Sequence, residues 1–216
     1  MSRKITVKGK GYASVKPDLI VFSLTVNSKD FDYETAMKKA TDASHILADA
    51  LEKVQFSKDD LKTTDFSVST EYNSVKDKKG NYTSVFDGYR VRQKYRLEFP
   101  LDFKQMATAL TAISRLTIDP ELSIRFTVKD SASVSEILLR SATQNAKATA
   151  EILAEASGVS LGELIDIDYS WIEIDFYSDT DFGMRESAMM SQEMQPHIVP
   201  EDVTVTDTVT FIWEIK

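Results

Sequence analysis

The chain has 216 residues, 42% of them hydrophobic and 28% charged, with a formal net charge of −8. That length supports one domain with a packed core, and the acidity opposes general affinity for nucleic acid, whose binding rests on neutralising phosphates. Cysteine is absent, which excludes disulfides, thiolate metal sites and a cysteine nucleophile.

The opening MSRKITVKGKG lacks the apolar stretch of a secretion signal. A cytoplasmic protein is therefore expected from the sequence as written, and an exported one if the natural chain is longer at its N-terminus. No stretch approaches the roughly 20 apolar residues of a spanning helix.

Residues 3–16 alternate, with Ile5, Val7, Gly9, Gly11, Ala13 and Val15 on one face, the period of a half-buried strand. Pro17-Asp18 turns the chain into a second strand with Ile20, Phe22, Leu24 and Val26 inward, and the two read as a hairpin. Residues 32–54 take helical spacing behind Asp32, with Ala36, Ala40, Ala43, Leu47, Ala50 and Val54 as the buried stripe. Two alternating segments follow, one with Phe66, Val68, Thr70 and Tyr72, the other with Tyr89, Val91, Tyr95, Leu97 and Phe99. The polar loop KDKKGN at 76–81 joins them.

A shorter helix is expected over 103–115 and a short strand over 122–129. The segment 131–158 reads as a long helix capped by Ser131 or Ser133 and stopped at Gly158. Its Ala142, Ala146, Ala150 and Ala154 fall four apart and form a smooth ridge. A strand over 163–177 slips phase between Trp171 and Ile172, the mark of a bulge. Residues 178–200 break all periodicity, and a last strand spans 202–215.

The order β-β-α-β-β-α-β-α-β-β favours hairpins over βαβ units. It predicts an α+β fold, largely antiparallel, with helices packed on one side, as a single domain over 1–216.

The glycine pair in KGKGYASVKPD does not fit a phosphate loop. A dinucleotide fingerprint needs a third glycine and a helix opening at the turn, whereas Gly11 is followed by Tyr12-Ala13-Ser14 and more strand. Both glycines share the inward face of Ile5 and Val7, so they leave room for a helix to pack closely.

Five segments resemble the SIMPL-domain family in the expected order over nearly the whole chain. They are VKGKGYASVKPDLIVFSLTV at 7–26, DLKTTDFSVSTEY at 60–72, GYRVRQKYRLEF at 88–99, ATQNAKATAEILAEASGVSLGELIDI at 142–167 and PHIVPEDVTVTDTVTFIWEI at 196–215. The family has periplasmic and outer-surface members. The resemblance implies an α+β fold, frequent self-assembly, and an association with stress defence or protein contact. It implies no catalytic residues. The expectation is thus a non-enzymatic protein with no cofactor, whose partners are copies of itself or another protein.

The chain holds two histidines. His45 falls half a turn from the buried stripe of its helix and should face solvent. His197 lies in the irregular loop, where Met189, Met190, Met194 and His197 offer ligand types suited to Cu(I). A small-molecule or Cu(I) binder using the Met-rich loop 184–197 is the alternative function.

Two strand faces carry concentrated charge. Arg90, Arg92, Lys94 and Arg96 form a basic stripe, and Asp166, Asp168, Glu173 and Asp175 an acidic one. Three readings stand open: pairing inside one chain, with Asp65 and Glu71 available on the preceding strand; contact between subunits; and anion binding, which the net charge opposes. Asp207 shares the phase of Val203, Val205, Val209, Phe211 and Trp213, so it points at the apolar side unless a bulge turns it outward. The bulge is favoured.

Overall fold

Three aspartates start the three helices. In the computed structural model, which describes residues 3–76, 81–169, 174–184 and 198–216, Asp32 opens α1 (Tyr33–Glu52) and accepts from the Thr35 N–H. Asp102 opens α2 (Phe103–Ser114) and accepts from Lys104 and Gln105. Asp130 opens α3 (Ser131–Ala156) by accepting from Ser133. A serine was expected to cap α3; the aspartate just before it does so instead, its carboxylate favoured by both the free N–H groups and the helix dipole.

The strands are β1 (Lys4–Val15), β2 (Leu19–Asp30), β3 (Leu61–Lys76), β4 (Tyr82–Pro100), β5 (Glu121–Thr127), β6 (Leu161–Asp168), β7 (Tyr177–Met184) and β8 (Val203–Ile215). The fold is α+β and the expected order holds. One further strand, β7, occupies 177–184, inside the stretch read as irregular. The expected slip between Trp171 and Ile172 lies outside the described residues. The register shifts that β6 does show fall earlier, between Leu161 and Asp166.

The strands form two sheets, ordered β1-β8-β6 and β3-β4-β2-β5-β7. The N-terminal hairpin is therefore not formed. β1 pairs antiparallel with β8, from Lys4↔Glu214 to Val15↔Val203, while β2 pairs antiparallel with β4, from Leu19↔Pro100 to Asp30↔Tyr89. The Pro17-Asp18 turn is anchored elsewhere: the Asp18 N–H donates to the Thr127 carbonyl at 3.0 Å, and its carboxylate accepts from the Lys129 N–H at 2.7 Å. Held this way, the chain passes from one sheet to the other instead of folding back on itself.

Backbone packing divides the chain into two compact units, residues 1–18, 126–180 and 200–216 forming one, and residues 19–125 and 181–199 the other. In the first, α3 lies on the inner face of β1 and β8. Val7, Val209, Phe211 and Trp213 meet the buried Ala142, Ala146 and Ala150. The approach is close because the facing positions on β1 are glycines. A Cβ at Gly9 would stand 2.1 Å from the Ala142 carbonyl oxygen, and one at Gly11 2.3 Å from that of Leu138. The two glycines and the alanine ridge are one packing device.

In the second unit, α1 sets Ala36 and Ala40 on Val91. Lower down the helix, Leu47 and Leu51 are buried; the stripe drifts to Leu51, so Ala50 and Val54 are only half-buried. Phe22 of β2 is fully buried and meets Phe99 edge-on at 5.2 Å.

Candidate contact surfaces

The basic stripe lies on β4, between β2 and β3. Register sets Arg90, Arg92, Lys94 and Arg96 opposite Lys29, Asn27, Thr25 and Ser23 of β2. On the other side they meet Ser69, Ser67, Asp65 and Lys62 of β3. Two of the four are paired inside the chain. Arg90 donates from Nη2 to Glu71 Oε2 at 2.9 Å, with its Nε 2.5 Å from Oε1 in the same ion pair, and Arg96 pairs with Glu98. Lys29 joins the first pair, 3.2 Å from Glu71 and in contact with Asp87. Arg92 and Lys94 make no ion pair among the described residues.

Glu71 thus faces two cations. The Arg90 hydrogen bond above all, helped by Lys29, holds its carboxyl below the ordinary 4.5. A carboxylate depressed in this way contributes stability above its ordinary pKa and loses it as pH falls through the lowered value. Acidification from pH 6 to pH 3 is therefore expected to lower the melting temperature more in the wild type than in Glu71→Gln. Equal slopes in the two proteins would remove Glu71 from the acid response.

The second surface was not anticipated. Gly88 sits in β4 with φ +110°, and a side chain there would meet the Asp30 carbonyl oxygen at 2.6 Å. At the same point the β3–β4 register skips a residue, from Glu71↔Gly88 to Tyr72↔Phe86. Such a bulge bends a strand and re-aims its side chains. Here it brings together rings from four parts of the chain. Phe86 meets Tyr89 at 5.3 Å, Tyr72 at 5.8 Å and Phe31 at 6.5 Å, all edge-to-face, and Tyr89 meets Tyr33 at 5.6 Å. Such pairs are each worth about 0.5–1.5 kcal/mol beyond the area they bury.

This cluster is nonetheless open to solvent. Phe31 is 67% exposed, Tyr72 59% and Tyr33 48%. Past the bulge, every described residue of the hairpin is exposed, Val75, Tyr82 and Val85 included. β3 is also the outer strand of its sheet, so one side of its backbone lacks a ladder partner among the described residues.

Of the acidic stripe, Asp166 and Asp168 lie exposed on β6 and Asp175 lies exposed before β7. Glu173 lies outside the described residues, as do Met189, Met190, Met194 and His197. The expected single acidic strand is thus not formed: Asp166 and Asp168 belong to β6, in a different sheet from the basic stripe on β4, and Asp175 lies on no strand. His45 is exposed on α1, as its phase required. No group of three or more His, Cys, Asp or Glu that could hold a metal occurs among the described residues. No described helix is long and apolar enough to cross a membrane.

Asp207 stays on the inner face. The β1–β8 register runs unbroken through Gly11↔Asp207, so the favoured bulge is not there. The Asp207 Oδ1 accepts from the Thr208 N–H at 2.6 Å, and its buried Oδ2 has no hydrogen-bond partner among the described residues. Tyr169 lies close enough to feel the charge: burial first, then Asp207, pushes its phenol above the ordinary value.

These features describe an α+β protein of two sheets with exposed aromatic and charged faces. The chain belongs to the SIMPL family, a protein of unknown function (DUF541), whose profile matches residues 5–213. It is similar to the 26 kDa periplasmic immunogenic protein of Brucella melitensis biotype 1, with 24% identity over 164 residues, 76% of this chain and 65% of that protein. The protein of the same name from Brucella abortus strain S19 matches with the same identity and coverage. The match spans just under two thirds of the length of these relatives.

Proposed function

We propose that this protein works by self-assembly and protein contact rather than by catalysis, in an exported setting like that of its periplasmic relatives. The observation that carries this reading is the open aromatic cluster at the root of the β3–β4 hairpin. Exposed aromatic surface costs solvation free energy when left bare, and contiguous apolar patches mark contact sites. Tyrosine and phenylalanine are also rings that interfaces favour. The free edge of β3 beside the cluster adds backbone donors and acceptors that a partner strand can complete.

The double variant Phe31→Ser/Tyr72→Ser tests the reading, because both rings are mostly exposed and their loss should leave the fold intact. Its self-association, followed by sedimentation velocity across a concentration series, is expected to weaken at least tenfold, roughly 1.4 kcal/mol or more. An association constant equal to that of the wild type would overturn the proposal.

A further inference from the structure

A groove of about 480 Å³ opens within the second unit, between the C-terminal halves of α1 and α2. That size falls in the range of small-molecule sites, roughly 300–1,000 Å³. Its apolar lining is Ala50 of α1, Val54 just beyond that helix and Ala112 of α2, all three half-buried. The open groove is why Ala50 and Val54 fall short of the burial that the stripe of α1 demands. Thr108 and Thr111 add methyl groups but no free donor: their hydroxyls donate to the carbonyls of Lys104 at 2.9 Å and Ala107 at 2.8 Å, one turn back. The rest of the lining is cationic. Lys53 follows the last residue of α1 and Arg115 the last of α2. Both are exposed, and neither makes an ion pair among the described residues. The acids nearest Lys53 in the chain, Asp49 and Glu52, are engaged by Lys58 at 2.6 and 3.4 Å.

Of the lining side chains, only Lys53 and Arg115 thus hold donors not already committed, and both carry a full positive charge. Together they outweigh the roughly half a negative charge that each helix end presents. A complementary molecule has an anionic acceptor at one end and an apolar body to cover Ala50, Val54 and Ala112. We infer that this groove binds a small anionic amphiphile, in its simplest form an alkyl carboxylate whose head is held by Lys53 and Arg115. A guanidinium takes a carboxylate through two parallel hydrogen bonds, and the lysine adds a point charge. A neutral apolar molecule would leave the two cations unused, and an inorganic anion would leave the apolar lining wet. The inference stands apart from the assembly reading, since it uses neither the aromatic cluster nor a second copy of the chain.

Octanoate, titrated into the wild type and followed by amide chemical shifts, is expected to give saturable changes centred on Ala50, Val54, Thr111 and Ala112. Lys53→Gln/Arg115→Gln removes both charges at exposed positions, and its octanoate affinity is expected to fall at least tenfold. On the wild type, octan-1-ol keeps the tail without the charge, and propionate keeps the head with almost no tail. Each is expected to bind at least tenfold more weakly than octanoate. These two comparisons hold even where the double variant is destabilised. No saturable change at the groove would overturn the inference, as would an unchanged octanoate affinity in the double variant. Octan-1-ol matching octanoate would reduce the groove to an apolar surface, and propionate matching it would reduce the groove to an anion site. Either result also overturns the inference, and none of these readouts depends on self-association.

Discussion

Gly9→Val is expected to lower the unfolding free energy by about 3 kcal/mol, the upper end of what overpacking a core costs. The new Cβ would fall 2.1 Å from the Ala142 carbonyl oxygen and 2.6 Å from the Ala146 Cβ. The first of these is backbone in the middle of α3, so no rotamer change can relieve it. Either the helix lifts off the sheet, stripping Val209 and Phe211 of their cover, or β1 leaves its register with β8. Ala146→Gly in the same chain relieves only the second contact and should restore little. A urea midpoint equal to that of the wild type would contradict the close approach of α3 to β1.

Phe22→Ala is expected to cost about 3–5 kcal/mol, the range for removing a fully buried phenylalanine. Phe22 is wholly enclosed in the first half of β2. Its ring stands against Phe99, which in turn meets Phe56 at 5.1 Å, so one truncation opens a cavity beside a chain of three rings. Phe22→Leu retains much of the volume and should lose distinctly less. The contrast between the two variants, read from their denaturant midpoints, checks that cavity formation is the cause. Equal losses would point to some other origin.

Local rules made much of this fold readable. Alternation marked β1, β2 and β4, the alanine steps marked α3, and the absence of a helix after Gly11 ruled out a phosphate loop. What alternation cannot supply is the neighbour. A half-buried strand shows the same period whichever strand it pairs with, so β1 and β2 looked like a hairpin although their partners are β8 and β4.

The aromatic cluster was hidden for a related reason. Phe31, Tyr33, Tyr72, Phe86 and Tyr89 come from β3, β4, the start of α1 and the connection before it, and no single period contains them. The usable signal was Gly88, an isolated glycine inside a strand pattern, which points to a bulge. Asp207 went the other way. Its phase was correctly read as inward, and the cost of burying a carboxylate argued for a bulge that the unbroken β1–β8 ladder does not contain.

The most direct test is the mass of the unmodified protein in solution over a wide concentration range, at low and at high salt. A defined multiple of the 24.3 kDa chain is expected at low salt. High salt is expected to leave that mass in place, because contact between apolar aromatic faces is not screened by ions. A mass of one chain under every condition would contradict assembly as the basis of function.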